Sequence, residues 1–169
     1  EPYAMSKLEA ENLTAALCQQ YGLNFVIARL FNCYGERQKH NSLIPSLIIQ
    51  TLNSNEVHIG NMKPTRDFIY VRDAVSALEL LGKQKCTGIY NVGTGIETSI
   101  AELMSKIIKT SGKKIKIIQD SSKFKEESIE VLRSCADISK IRVLGWSPKS
   151  LLMEGIAKTY SYYENLLWK

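Results

Sequence analysis

No stretch of this sequence approaches the ~20 consecutive apolar residues that a membrane-spanning helix requires. No positively charged leader with an apolar segment precedes a cleavage site, so a cytoplasmic protein with no membrane partner is expected. Cysteine is sparse: Cys18, Cys33, Cys86 and Cys135 are scattered, without a Cys-x-x-Cys pair. That argues against a zinc ribbon or a disulfide framework and fits a reducing compartment. The two histidines, His40 and His58, stand alone, and no metal is expected because a metal site needs convergent ligands. None of the ten glycines falls in a Gly-x-Gly-x-x-Gly pattern, so the phosphate-binding turn of a dinucleotide-binding sheet is not among these residues.

What is present reads as a globular chain with enough length for a core, at 44% hydrophobic and 23% charged residues. The net charge of +5 comes largely from dispersed lysines, and GKKIKI (112–117) is the densest patch. There Ile115 and Ile117 alternate with Lys114 and Lys116, as in a half-buried edge strand with a wet lysine face. Without an aromatic platform or a recognition helix, no nucleic-acid partner is expected.

Strands and helices alternate along the chain. Residues 4–21 are good helix formers without Gly or Pro, and Gly22 stands where a helix commonly stops. NFVIARLF (24–31) has the short, β-branched character of a buried strand, and NCYGERQKHN after it reads as a polar loop. SLIPSLIIQTLN predicts a helix with Ile44, Leu47, Ile48 and Leu52 on one face. VHIG (57–60) and DFIYV (67–71) predict strands around the turn GNMKPT. RDAVSALELL predicts a helix with Val75, Leu78 and Leu81 on one face. GIYNV (88–92) reads as a buried strand, GTG (93–95) as a turn, and SIAE (99–102) has capping-box spacing. KIKII, the short helix DISKIRVLG and the long helix LLMEGIAKTYSYYENLLW complete the chain. This alternation argues for α/β with a parallel sheet.

The opening YAMSK raises a chemical question. Tyr3 and Lys7 are four apart in a predicted helix, so they share a face. Tyrosine is a poor base at neutral pH, but a neighbouring ammonium favours the phenolate and makes proton abstraction from a hydroxyl feasible. Lysine can also donate hydrogen bonds to a cofactor ribose. Chance alone supplies roughly one Tyr-x-x-x-Lys match in a chain of this composition, so context must decide.

Six segments supply it: EPYAMSKLEAENL, ARLFNCYGERQ, NSLIPSLI, VHIGNMKPTRDFIYVRDAVSALELL, GIYNVGTG and ADISKIRVLGWSPKSLLMEGI. In this order and spacing the chain resembles the C-terminal half of the extended short-chain dehydrogenase/reductases that modify nucleotide sugars, the NAD-dependent epimerase/dehydratase family. The resemblance implies the C-terminal part of a doubly wound Rossmann sheet plus a smaller α+β substrate-binding lobe. Residues 1–32 and about 67–94 would be Rossmann elements, and about 33–66 and 95–169 the lobe. The complementary N-terminal half would carry the glycine-rich loop.

The roles that follow are those the resemblance implies. Tyr3 takes the proton of the sugar 4-hydroxyl as hydride leaves for NAD, and Lys7 holds the nicotinamide ribose, with NAD preferred to NADP. Asn32 donates to the nucleotide phosphates, and Ser42 and Leu43 contact the ligand where the next helix begins. Val57 and Ile59 flank the base. Arg66 grips the diphosphate through its planar fork. Lys125 and Glu130 stand where the family has an arginine for phosphate and an acid for the ribose hydroxyls. For Arg66 the rival reading is a surface ion pair with Asp67. GERQ in place of Gly-Pro-Arg implies a looser substrate loop. The GN before KPTRDFIYVRD resembles the branch that dehydrates nucleotide-linked N-acetylhexosamines. The expected reaction is 4,6-dehydration through a 4-keto intermediate in a homodimeric enzyme. The alternatives are 4-epimerisation, or a silent fragment that serves only as a binding module.

Overall fold

A computed structural model describes residues 2–123 and 130–167. Helix α1 (Pro2–Tyr21) leads into strand β1 (Val26–Leu30), which pairs in parallel with β6 (Gly88–Val92), Val26 facing Gly88 and Leu30 facing Val92. After Phe31 the chain enters a second parallel pair, β2 (Asn32–Tyr34) with β5 (Phe68–Tyr70). Residues 32–34 are thus a strand, not the start of the polar loop expected from NCYGERQKHN. The backbone N–H groups and carbonyls there find partners on β5, which local sequence does not reveal.

Around this frame lie α2 (Leu43–Asn53), β3 (Glu56–Ile59), β4 (Thr65–Arg66), α3 (Val71–Lys83), β7 (Thr98–Ser99) and α4 (Ile100–Ser111). The chain continues through β8 (Lys116–Gln119), β9 (Arg133–Ser134), α5 (Ser139–Val143) and α6 (Leu152–Leu167). β3 pairs in parallel with β8, and β4 lies between β7 and β9. The capping box forms as the sequence predicts: Ser99 Oγ accepts from the Glu102 N–H, and the Glu102 carboxylate accepts from the Ser99 N–H. β8 is an edge strand, but Ile117 is exposed and Ile115, just before it, is the isoleucine that packs on the core.

Two hydrophobic cores form, and β5 is the wall between them. Successive side chains of a strand point to opposite faces. Phe68 and Tyr70 join a core built from α2, β3, α4 and α6, while Ile69 joins the other with Tyr90, Val92 and residues of α3. The second core also takes Ala136, Ile138, Ile141 and Trp146. Residues 136–146, grouped with the substrate lobe from sequence, therefore return to pack on the β1–β6 side. The predicted face of α2 is buried as expected. In α3 Leu81 is buried, but Val75 and Leu78 are exposed, and Ala74 and Ala77 face the core instead. Their small side chains let the helix approach the strands closely.

Asp67 ties these layers together. It is fully buried, and its carboxylate accepts hydrogen bonds from Thr94 N–H (2.8 Å), Thr94 Oγ1 (2.6 Å), Gly95 N–H (2.8 Å) and Ala136 N–H (3.2 Å). The GTG turn is thus an anchor for this carboxylate. Gly93 allows the approach, because a Cβ there would lie 2.5 Å from the Ala136 Cβ and 2.7 Å from Asp67 Oδ2. Asp67 is no surface partner for Arg66, whose guanidinium donates to the Thr65 carbonyl at 2.7 Å. Asp67→Asn should cost about 2–3 kcal/mol in urea unfolding, since an amide NH2 must then face backbone donors. A loss below ~0.5 kcal/mol would contradict this role.

Candidate functional site

Tyr3 and Lys7 lie on one face of α1, with the Lys7 ammonium 5.6 Å from the centre of the Tyr3 ring. Tyr3 is 66% exposed, and none of the described α1 side chains is buried. The helix is tied to β1 by a bidentate contact in which Arg29 donates to Glu11 at 2.8 and 2.5 Å. The guanidinium holds the Glu11 carboxyl below its ordinary range. Tyr3, Lys7, Leu8 and Glu11 on one side and residues 27–30 on the other line a cleft of about 700 Å³.

A second pocket, of about 420 Å³, brings together Asn32, Ser42, Leu43, Ile59, Arg66 and Glu130. These six residues span almost a hundred positions of sequence. Asn32 opens β2, and its side chain donates to the Asp67 carbonyl at 3.2 Å. Ser42 is the N-cap of α2 with an extended backbone, and its hydroxyl makes no capping bond. The helix N-terminus, where unpaired N–H groups favour an anion, therefore opens at the pocket. Arg66 comes from β4. Glu130 accepts from Asn61 Nδ2 at 2.6 Å, and Asn61 Oδ1 accepts from the Lys63 N–H, which sets the direction of that amide.

Val57 does not line this pocket; it is fully buried in the first core, so of the two strand residues only Ile59 reaches the opening. Lys125 lies outside the described residues. The pocket also contains side chains not singled out from sequence: Cys33, Tyr34, Gln38, Asn61, Phe68 and Ile100. Only the polar Gly-Asn turn hinted at Asn61. Burial pushes the Cys33 thiol and the Tyr34 phenol upward, so both stay neutral and the charged lining groups are Arg66 and Glu130.

A third opening, of about 550 Å³, shares Arg29 and Leu30 with the cleft and Asn32 with the pocket. Their shared lining residues set the three next to one another along the carboxyl end of β1, the region where α/β sheets bind ligands. The loop before α2 is not loose. Tyr70 donates to both Glu36 oxygens, at 2.8 and 3.0 Å, and Gln38 Nε2 donates to the Cys33 carbonyl at 3.0 Å. The looser loop expected from GERQ is therefore not seen: Glu36 is held by a partly buried hydrogen bond from Tyr70.

Parallel strands, a Tyr-x-x-x-Lys helix beside them and a polar pocket at the strand ends define a Rossmann-type α/β protein. The family described as GDP-mannose 4,6 dehydratase matches residues 1–159. Human dTDP-D-glucose 4,6-dehydratase is 34% identical over 167 residues, covering 96% of this chain and 48% of that one. UDP-glucuronic acid 4-epimerase from Bacillus cereus, solved with UDP-glucuronic acid and NAD, superposes with a TM-score of 0.88 at 30% identity, over 98% of this chain and 53% of that one. RMD from Pseudomonas aeruginosa, solved with NADPH, gives a TM-score of 0.91 at 28% identity, over 98% and 57%.

The chain belongs to this dehydratase family, within the NAD-dependent epimerase/dehydratases of the extended short-chain dehydrogenase/reductase type. It spans about half the length of the curated relatives it matches. Among the described residues, no helix is long and apolar enough to cross a membrane.

Proposed function

We propose that these residues form the nucleotide-sugar half of an NAD-dependent enzyme that carries out 4,6-dehydration of a nucleoside-diphosphate sugar, with an N-acetylhexosamine as one candidate sugar. The observation that supports this most is the convergence of Asn32, Ser42, Leu43, Arg66 and Glu130 on one pocket, which shares lining residues with an opening that in turn adjoins the Tyr3–Lys7 cleft. The pocket combines what a nucleoside diphosphate needs. Arg66 and the α2 N-terminus suit phosphate oxygens, and the Glu130 carboxylate accepts from hydroxyls.

The donor set at the cleft, a phenol and an ammonium on one helix face, fits the nicotinamide-ribose end of NAD. No glycine-rich turn for its pyrophosphate is present in these residues. When bound, NAD supplies the hydride acceptor and donor. Tyr3 accepts the proton of the sugar 4-hydroxyl, and the Lys7 ammonium favours the phenolate that does so. The similarity to a 4-epimerase supports 4-epimerisation as the second reading, and it would use the same two residues.

Supplying the whole protein with NAD and UDP-, GDP- and dTDP-linked hexoses and N-acetylhexosamines tests both. Dehydration should yield a 4-keto-6-deoxy sugar, recognised in NMR by a new C6 methyl. A C4 epimer alone would favour the second reading. Retained nucleotide binding without turnover of any of them would leave a binding module and overturn both.

Leu13 and Leu17 lie on α1 away from the cleft-lining residues, 61% and 44% exposed. Such an apolar stripe at i, i+4 spacing suits helix–helix packing, and we assign it to a homodimer contact. Leu17→Glu should shift the whole protein toward monomer in sedimentation at micromolar concentration. A wild-type protein that already sediments as a monomer would refute the contact.

A further inference from the structure

Gln38 lines the pocket with a hydrogen-bonding defect. Its Nε2 donates to the Cys33 carbonyl, but its Oε1 is buried and accepts from no described residue. Oε1 is the buried side-chain polar atom left without a partner among the described residues. Such groups are rare in folded proteins because the loss of water is not offset. The backbone around it is held firmly. Tyr163 Oη donates to the Gln38 carbonyl, the His40 ring meets Tyr163 edge-on at 5.6 Å, and Glu36 is bound by Tyr70. Next to Gln38, Arg37 sits at φ 65, a left-handed conformation uncommon for a residue with a side chain. With the main chain fixed, the side chain alone can respond to a ligand.

We infer that Gln38 is a specificity-determining residue, whose carboxamide turns into the pocket and accepts a hydrogen bond from a hydroxyl or N-acyl N–H of the bound sugar. The assignment rests on the nucleotide-sugar reading. Phosphates cannot satisfy Oε1, since they too are acceptors at neutral pH. Its bond to Cys33 puts Gln38 beside Asn32, the residue that the pocket shares with the opening toward Tyr3 and Lys7. That is the end at which a sugar between nucleotide and base-bearing cleft would lie. A sugar is rich in donors. Binding would exchange an unsatisfied acceptor for a satisfied one.

The test is calorimetric titration of the whole protein and of Gln38→Met with a nucleoside diphosphate and with the matching nucleotide sugar, alongside melting of each ligand-free protein. Nucleoside diphosphate affinity should stay within about twofold, while nucleotide-sugar affinity falls about 5–20-fold, the scale of one neutral hydrogen bond. The ligand-free melting temperature should change little, because the substitution removes the unpaired acceptor together with the Nε2 bond to the Cys33 carbonyl. Gln38→Leu, of similar size, should behave alike. A merely structural glutamine would lower melting temperature and both affinities together, and that result overturns the assignment. So does an unchanged nucleotide-sugar affinity. In the wild type, monodeoxy sugars, including one that lacks the N-acylamino group altogether, identify the donor: one analogue should lose the same factor, and in Gln38→Met it should lose none. If the wild type binds neither ligand, the nucleotide-sugar reading itself fails, and this assignment with it. Retained diphosphate binding with an indifferent Gln38 overturns the glutamine alone.

Discussion

Tyr3→Phe should lower turnover of the whole protein by ~10²–10⁴-fold, the usual scale for losing a general base. The substitution removes one oxygen from a side chain that is 66% exposed on a helix with no buried described residue, so it leaves the fold and the ligand pocket untouched. Nucleotide-sugar affinity should therefore hardly change, since the groups proposed to grip the ligand lie in the pocket of Asn32, Ser42, Arg66 and Glu130. The loss should appear in turnover and in kcat/KM alike. A variant with more than about a tenth of wild-type turnover would return YAMSK to a chance match. The neighbouring Lys7 offers a check on the same idea. Lys7→Met should also depress turnover, because the ammonium 5.6 Å from the Tyr3 ring centre is then gone.

Arg66→Ala should weaken nucleoside diphosphate binding by roughly 2–5 kcal/mol, the range for removing a desolvated, charge-assisted partner. Its surroundings suit a phosphate-binding role. The guanidinium is half-buried at the pocket, and its bond within the described residues goes to the Thr65 carbonyl, with its near neighbour Asp67 already committed to Thr94, Gly95 and Ala136. A cation placed without a carboxylate bond can be matched by an anionic ligand. Calorimetry with the nucleoside diphosphate alone suffices, and an affinity changed by less than ~1 kcal/mol would mark Arg66 as a rim residue. Arg66→Lys separates charge from geometry: the point charge remains, and the bidentate fork is lost.

Much of the local structure was legible in the order of residues because it depends on local periodicity, while the ligand-handling roles followed from the family resemblance. The 3.6-residue repeat put Ile44, Leu47, Ile48 and Leu52 on the buried face of α2, and a spacing of three set the Ser99–Glu102 capping box. A spacing of four put Lys7 beside Tyr3. The same periodicity misdirected α3. It groups Val75, Leu78 and Leu81, but which face of a helix is buried depends on what it meets, and here the strands accept Ala74 and Ala77.

What the sequence by itself determined was the helices and the longer strands, the helix ends and the residue types able to handle protons, phosphates and hydroxyls. Only the tertiary structure decided which of them meet. Asn32 and Glu130 are brought to one pocket, Val57 is withdrawn into the core, and residues 136–146 return to the β1–β6 side. Asp67 became an anchor because its donors come from positions 94, 95 and 136, and Gln38 became conspicuous because no described residue donates to its oxygen. Such facts concern distances between residues remote in the chain. They arise when side chains close-pack and buried polar groups must find partners, conditions that no local pattern encodes.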